Sequence, residues 1–384
     1  MTKPLISMLR TFYLIVVSSI TSLLLVSPAR ADWALNLTEG VTPISHQVYD
    51  LHMQILWIVT IVGIVVFAAM FYSIFAHRKD KGVVPATFHH STLLELLWTA
   101  IPIAILVVIA IPATKTLIAM ETTGDADITI KVTGYQWKWK YDYMGEDLSF
   151  FSSLDAESRA IADNTSDNAP EDIEHYLLDV DNVIVLPIKT KIRILTTAAD
   201  VIHAWWVPDL GWKRDAVPGF INDNWTYIEE AGVYRGQCAE LCGKDHGYMP
   251  IVVKAVPEAE YKAWITETKQ KIAEASSGAD REWTMDELMA RGEEVYGANC
   301  AACHQANGKG LPGAFPALDG SAIATGAMAG HIDIVVNGKA GTAMAAYGPQ
   351  LNDIDIAAVV TYERNAWGNK AGDMVQPSEI KDAR

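Results

Sequence analysis

Residues 51–76 and 96–114 contain no Asp, Glu, Lys or Arg over 26 and 19 positions, and this constrains the fold more than any other feature. At about 1.5 Å of rise per residue, each stretch can cross a roughly 30 Å hydrocarbon core as a helix. We expect a transmembrane hairpin over residues 32–120, with spans near 51–76 and 93–118. The loop between them opens His77-Arg78-Lys79-Asp80-Lys81, whereas residues 32–50 hold no Lys or Arg. The positive-inside rule puts that loop in the cytoplasm and both chain ends outside. Pro102 and Pro112 interrupt the second span, which membrane helices tolerate where neighbours satisfy the freed carbonyls. A partner within the membrane is therefore implied.

Residues 1–31 read as a secretory signal: a basic start (Lys3, Arg10), an apolar run over 11–26, and Ala29-Arg30-Ala31 as the cleavage site, leaving Asp32 at the mature N-terminus. An uncleaved anchor is the alternative. Beyond the hairpin, residues 124–257 alternate apolar and polar side chains in strand-length runs, as in Ile128-Thr129-Ile130-Lys131-Val132. That pattern predicts an antiparallel sandwich or barrel. Within it, residues 145–181 carry eleven Asp or Glu and one Arg, which reads as an inserted, solvated loop that either steers a basic partner or is simply hydrated. A polar stretch over 258–281, helical in its first part, forms a linker to a third domain at 282–370, followed by a polar tail at 371–384. The formal charge of -16 argues against a nucleic-acid partner.

Chemistry concentrates in Cys238-Ala239-Glu240-Leu241-Cys242-Gly243-Lys244-Asp245-His246-Gly247-Tyr248-Met249. Two thiols, an imidazole and a thioether on one loop between strands make a soft-metal site. A one-copper electron-transfer site uses one Cys, two His and a weak axial Met. The second Cys here allows two thiolates to bridge two copper ions, with His203 as the other imidazole. A disulfide and a zinc site are the alternatives, and both leave Met249 without a part.

A second motif, Cys300-Ala301-Ala302-Cys303-His304, is the signature of covalent c-type haem attachment, with His304 as an iron ligand. Met344, in a Gly-rich loop before the last helix, is our candidate for the sixth ligand, with Met328 and Met374 as competitors. The chain has four Cys, and the two motifs use all of them.

On these motifs the chain resembles subunit II of the haem-copper respiratory oxidases, in the form with a fused C-terminal cytochrome c domain. The resemblance implies two transmembrane helices, a cupredoxin-like antiparallel β-barrel and an all-α cytochrome c domain with Gly292, Tyr296, Tyr362 and Trp367 in its flanking helices. It implies a dinuclear CuA centre held by His203, Cys238, Cys242, His246, Met249 and the backbone carbonyl of Glu240. The Glu240 side chain would share a magnesium ion with subunit I. Haem c would be bound by Cys300, Cys303, His304 and Met344. Trp137, in Gly134-Tyr135-Gln136-Trp137-Lys138-Trp139, would sit on an early strand as the surface point where electrons enter, and Glu95 would stand at the mouth of a proton path into subunit I. The flanking Lys138 and Lys140 would weaken docking of a basic soluble cytochrome.

The implied function is relay of electrons from cytochrome c, or another periplasmic donor, through haem c and CuA to an oxygen-reducing site in subunit I, coupled to proton translocation. Subunits I and III and membrane lipid would be the partners, in a bacterial inner membrane with the metal domains on the periplasmic face. Two other readings stand beside it: the CuA-containing subunit of a nitric oxide reductase, and an exported copper-delivery protein. The second requires an exchangeable site and has no use for haem.

Overall fold

The computed structural model describes residues 36–384; the signal segment lies outside them. The two apolar stretches form helices α1 (Pro43–Ala76) and α2 (Thr92–Met120), both apolar and long enough to cross a membrane. α1 begins eight residues before the charge-free run at Leu51. Thr42 accepts from the Ser45 amide and Ser45 Oγ accepts from the Thr42 amide, and this reciprocal cap satisfies two of the amides a helix start leaves open. Thr42 Oγ1 donates to Leu210 O at 2.9 Å, so the capped end is tied to the outer domain. α2 is tied likewise, through Trp225 Nε1 donating to Ala119 O and an Arg214–Glu121 ion pair.

The outer domain is a sandwich of two five-stranded sheets. One has the order β3 (Leu148–Ser152), β2 (Lys138–Tyr143), β1 (Ile128–Tyr135), β5 (Ile192–Ala198), β8 (Asn222–Thr226). The other runs β4 (Ile184–Pro187), β10 (Pro250–Val256), β9 (Gly232–Cys238), β6 (His203–Val207), β7 (Trp212–Ala216). Alternation fills the space between them: Ile192, Ile194 and Thr196 of β5 are wholly buried, because successive side chains point to opposite faces. Pairing is mostly antiparallel, but β1 with β5 and β4 with β10 run parallel. Alternation does not reveal such crossovers, since it reports faces and not partners.

Three stretches that composition marks as polar are folded against apolar cores. The acidic segment contains β3 and helix α3 (Ala156–Ala162), with Leu148, Leu154 and Ile161 buried, so its first part is folded, whereas residues 163–175 are largely irregular and mostly exposed. The linker opens as α4 (Glu258–Ser276), which places Tyr261 and Ile265 in the sandwich core and sets Trp264 tilted against Tyr143 and edge-on to Phe150. The tail forms α9 (Pro377–Ala383) with Val375 and Ile380 fully buried. In each case a few apolar side chains at helical or strand spacing direct the fold, and the charges occupy the outer face.

The C-terminal domain is helical: α5 (Met285–Asn299), α6 (Ala301–His304), α7 (Met328–Asn337) and α8 (Asp353–Asn365), closed by α9. α5 and α8 cross at Gly292, where a Cβ would come within 2.2 Å of Ala358 O. Tyr296, Tyr362 and Trp367 form one aromatic cluster with centroids 5.0–5.5 Å apart.

Candidate metal centre and haem pocket

β9 ends at Cys238 and β10 begins after Met249, so the motif loop is pinned at both ends. Cys238 N donates to Met249 O, and Ala239 N donates to Ala204 O on the neighbouring β6. β6 itself starts with His203, paired across the sheet with Ala216. These strand ends bring five donors together. Cys238 Sγ lies 3.8 Å from Cys242 Sγ and 3.9 Å from His203 Nδ1; Cys242 Sγ lies 3.5 Å from both His246 Nδ1 and Met249 Sδ. Cys238 Sγ also lies 3.3 Å from Glu240 O. His203, Cys238, Cys242 and Met249 are buried, and His246 is half-buried.

The donor set fits copper. The sulfurs stand nearly twice a disulfide bond apart, and the thioether completes a soft set that zinc does not call for. The thiols polarise each other: the hydrogen bond from Cys242, helped by His203 and backbone amides, holds Cys238 far below the ordinary thiol range, and the same contact with burial pushes Cys242 up. One proton leaves this pair readily, and a metal that takes two thiolates must displace the other.

Supporting contacts orient the ligands. His203 Nε2 meets Asp200 Oδ1 at 2.9 Å, which leaves Nδ1 toward the thiols, the arrangement by which carboxylates fix metal-binding imidazoles. Burial opposes charge on His203, and the Asp200 and Cys238 partners outweigh it to raise the pKa. Gly134 gives the ring its room, since a Cβ there would lie 2.7 Å from His203 Cδ2. Gln136 Nε2 and Trp137 Nε1 both donate to Cys242 O, at 2.8 and 3.2 Å. Arg159 of α3 reaches Asp245 at 2.9 Å and lies over the Tyr248 ring, so the acidic segment clamps the turn that carries His246.

Trp137 occupies the turn between β1 and β2, not a strand, and it is 9% exposed. Unlike an open surface residue, it lines a cleft of about 550 Å³ whose other wall includes Asn299, Ala302 and Cys303. The two outer domains touch here: Ala302, Cys303 and Phe315 pack on the sandwich core, Lys138 Nζ donates to Asn299 Oδ1 at 2.8 Å, and Lys244 Nζ donates to Ala302 O. Glu240 is exposed on the ligand loop beside Leu241, which is 77% exposed. Glu95 lies exposed in the first turn of α2.

In the helical domain Cys300, Cys303, His304 and Met344 line one cavity of about 270 Å³, walled by apolar groups including Phe315, Leu318 and Val359. His304 Nδ1 donates to Pro316 O at 2.8 Å, which fixes the tautomer and frees Nε2 for a metal. Met344 is set by its carbonyl accepting from Lys339 N. Met328 instead packs on the helical core and Met374 is 40% exposed; neither lines the cavity. Paired thiols, an oriented imidazole and a thioether around an apolar slot fit a covalently held haem.

Sequence reasoning missed Asp200, Gln136, Arg159 and Asp245 as supports, and His331 and Glu363 in the second cavity. Asp200, three positions before His203, and Asp245 and Gln136, adjacent to His246 and Trp137, carried a local signal; Arg159, His331 and Glu363 did not.

Three families match the sequence: "Cytochrome C oxidase subunit II, periplasmic domain" over residues 128–256, the transmembrane domain of the same subunit over 30–116, and "Cytochrome C oxidase, cbb3-type, subunit III" over 287–362. A probable cytochrome c oxidase subunit 2 of Rickettsia bellii is 40% identical over 241 residues, covering 63% of this chain and 86% of that protein. Cytochrome c oxidase subunit 2 of Arabidopsis thaliana is 39% identical over 63% of this chain and 92% of its own. The crystal structure of the periplasmic domain of cytochrome oxidase subunit II from Bradyrhizobium japonicum is 39% identical, covers 39% of this chain and 99% of that chain, and has a TM-score of 0.34.

Proposed function

Because the chain belongs to the cytochrome c oxidase subunit II family, we propose that it is the electron-relay subunit of a terminal respiratory oxidase in a bacterial inner membrane. It takes electrons from a periplasmic donor such as cytochrome c at its helical domain. It passes them through the five-donor pocket to subunit I, where oxygen is reduced to water and protons are translocated. The observation that carries this reading is the convergence of His203, Cys238, Cys242, His246 and Met249 in one cluster, buried except at His246, with Trp137 in a cleft that reaches Cys303 of a second, haem-type cavity.

Copper held by His203, Cys238, Cys242, His246 and Met249 would supply a one-electron couple; the rest of the task falls to this chain. Asp200 holds the His203 ring, and Gln136 and Trp137 hold the Cys242 carbonyl. Burial of Met249 and Trp139 keeps water from the donors, which limits reorganisation when charge changes. Trp137 touches the ligand loop through its N–H and faces Cys303 across the cleft, so we assign it the passage between the chain's own two sites. Exposed Glu240 and Leu241 of the same loop offer a face for subunit I, with Glu240 available to share magnesium. Subunit III and lipid would surround α1 and α2, and Glu95 would take its place at the proton path.

Flash reduction of the purified complex tests this, with haem c and copper absorbance followed separately while oxygen or nitric oxide is supplied. Loss of electrons from haem c matched to gain at copper, then oxygen consumption, is the expected result. Electrons that drain only into nitric oxide would overturn the oxidase reading. In the same assay Glu95→Gln should slow proton-coupled turnover and leave the copper spectrum unchanged.

A further inference from the structure

The haem cavity contains two groups for which covalent attachment and axial ligation have no use. His331 of α7 and Glu363 of α8 face each other with 2.8 Å between Nε2 and a carboxylate oxygen, and they are 2% and 4% exposed. Both line the cavity with Cys300, Cys303, His304 and Met344. His331 Nδ1 is buried with no hydrogen-bond partner, and a buried polar atom left so is costly. With Nε2–H donating to Glu363, the free Nδ1 is a vacant base in an apolar pocket.

The surroundings leave the pair as the responsive charge. Arg364 turns to Asp373 and to the carbonyls of Ala324 and Gly326; its hydrogen bond, more than the weaker pull of His331, keeps the Asp373 carboxyl below its usual range. Burial pushes the ionisations of Tyr296 and Tyr347 up, so both stay neutral. Cys300, which also hydrogen-bonds Glu363, gives up its thiol proton on thioether formation, which leaves His331 as the partner of that carboxylate. Lys339 and His304 share the cavity, and α9 turns Pro377 and Ile380 inward while Glu379, Lys381 and Asp382 are exposed. In such a low-dielectric site a change of one charge shifts proton affinity strongly.

We propose that His331 and Glu363 form a proton-binding site coupled to the electron held in the helical domain, an inference that rests on the haem reading above. When the donor delivers one electron, His331 Nδ1 takes one proton from solvent; an N–H bond forms, and the imidazolium stays paired with the Glu363 carboxylate. When the electron leaves for the copper pocket, Nδ1 returns the proton. The net charge of the cavity is the same before and after each event. The subunit would thereby carry a proton in step with each electron.

An equilibrium redox titration of haem c in the intact complex tests this, from about pH 6 to about pH 9, a range that brackets the ordinary imidazole. The potential should fall with rising pH, approaching about 59 mV per pH unit, the one-electron equivalent of a tenfold change in binding. His331→Gln should flatten the profile. Glu363→Gln, which removes the partner of the imidazolium, should move the sloping region to lower pH. A flat wild-type profile, a slope that survives His331→Gln, or a region unmoved by Glu363→Gln would each overturn the proposal. The wild-type and Glu363→Gln profiles decide alone if His331→Gln fails to fold. Absence of a covalent haem spectrum would instead overturn the reading beneath the proposal, and the proposal with it.

Discussion

Lys138 shows how one residue changes meaning between sequence and fold. Beside Trp137 it reads as a surface charge that repels a basic donor, yet it is 6% exposed, donates to Asn299 of α5 and lies over the rings of Phe151 and Tyr347. Burial pushes its pKa down to about 8, against weaker opposing effects from Cys300 and Asp181. The unfolded lysine titrates near 10.4, so between about pH 8 and that value the unfolded chain binds the extra proton and stability rises with pH. Thermal unfolding should show wild type gaining roughly 3 kcal/mol across this window. Lys138→Met, which keeps the stem and removes the charge, should lose that gain; an equal rise in both proteins would show that the lysine is solvated. The proposed metal and haem donors stand out in the sequence because their chemistry is local: twelve residues hold five of the copper motif's candidate contributors, and Cys300, Cys303 and His304 form one run. Lys138 was not legible, since the partners that bury it from the helical domain, Asn299 and Tyr347, stand 161 and 209 positions away in sequence.

Among the elements, α3 departs furthest from its composition. Its one acid, Glu157, is exposed while Ser158 and Ile161 are buried, and the fold uses its single cation as a clamp. Arg159 is only 19% exposed in its pair with Asp245, itself 5% exposed, so truncating it leaves a carboxylate buried beside the His246 turn with only Lys244, at 3.9 Å, nearby. Removing one member of a buried pair is far more costly than its net contribution suggests, and supports of metal ligands typically contribute 10- to 100-fold in affinity. Arg159→Ala should therefore release copper to a chelator about tenfold faster or more, with Arg159→Lys intermediate; release at the wild-type rate would reduce α3 to a surface decoration. The strands themselves were legible from alternation, whereas the parallel pairs β1–β5 and β4–β10 were not, because pairing is decided by crossovers that local periodicity does not record. His331 and Glu363 stayed hidden for the same reason: each is one polar residue on an otherwise apolar helix face, and 32 positions separate them.

At the scale of the whole molecule, the helical domain stands where an external donor would have to approach Trp137. Cys303, Ala302 and Phe315 pack on the sandwich core, and the polar stretch that joins the domains is mostly the packed helix α4 and not a free tether. The arrangement keeps the second site adjacent to the first at an effective concentration no dissociating partner reaches. Removing residues 282–384 would bare Trp137, but it would also bare Lys138 next to Lys140, a positive patch that works against a basic donor. The proposed copper ligands and the supports Asp200, Gln136, Trp137 and Arg159 all lie upstream of the cut, so the truncated subunit should keep its copper spectrum. Donor-driven oxygen consumption should fall at least about tenfold, the typical loss when charge steering is absent. Full turnover with a soluble cytochrome would mean that Trp137 accepts electrons directly and that the fused domain is an alternative route. A fall in turnover that high salt partly restores would assign the loss to the exposed lysines, since screening at about 1 M acts beyond roughly 3 Å, and a fall insensitive to salt would assign it to the missing haem domain itself.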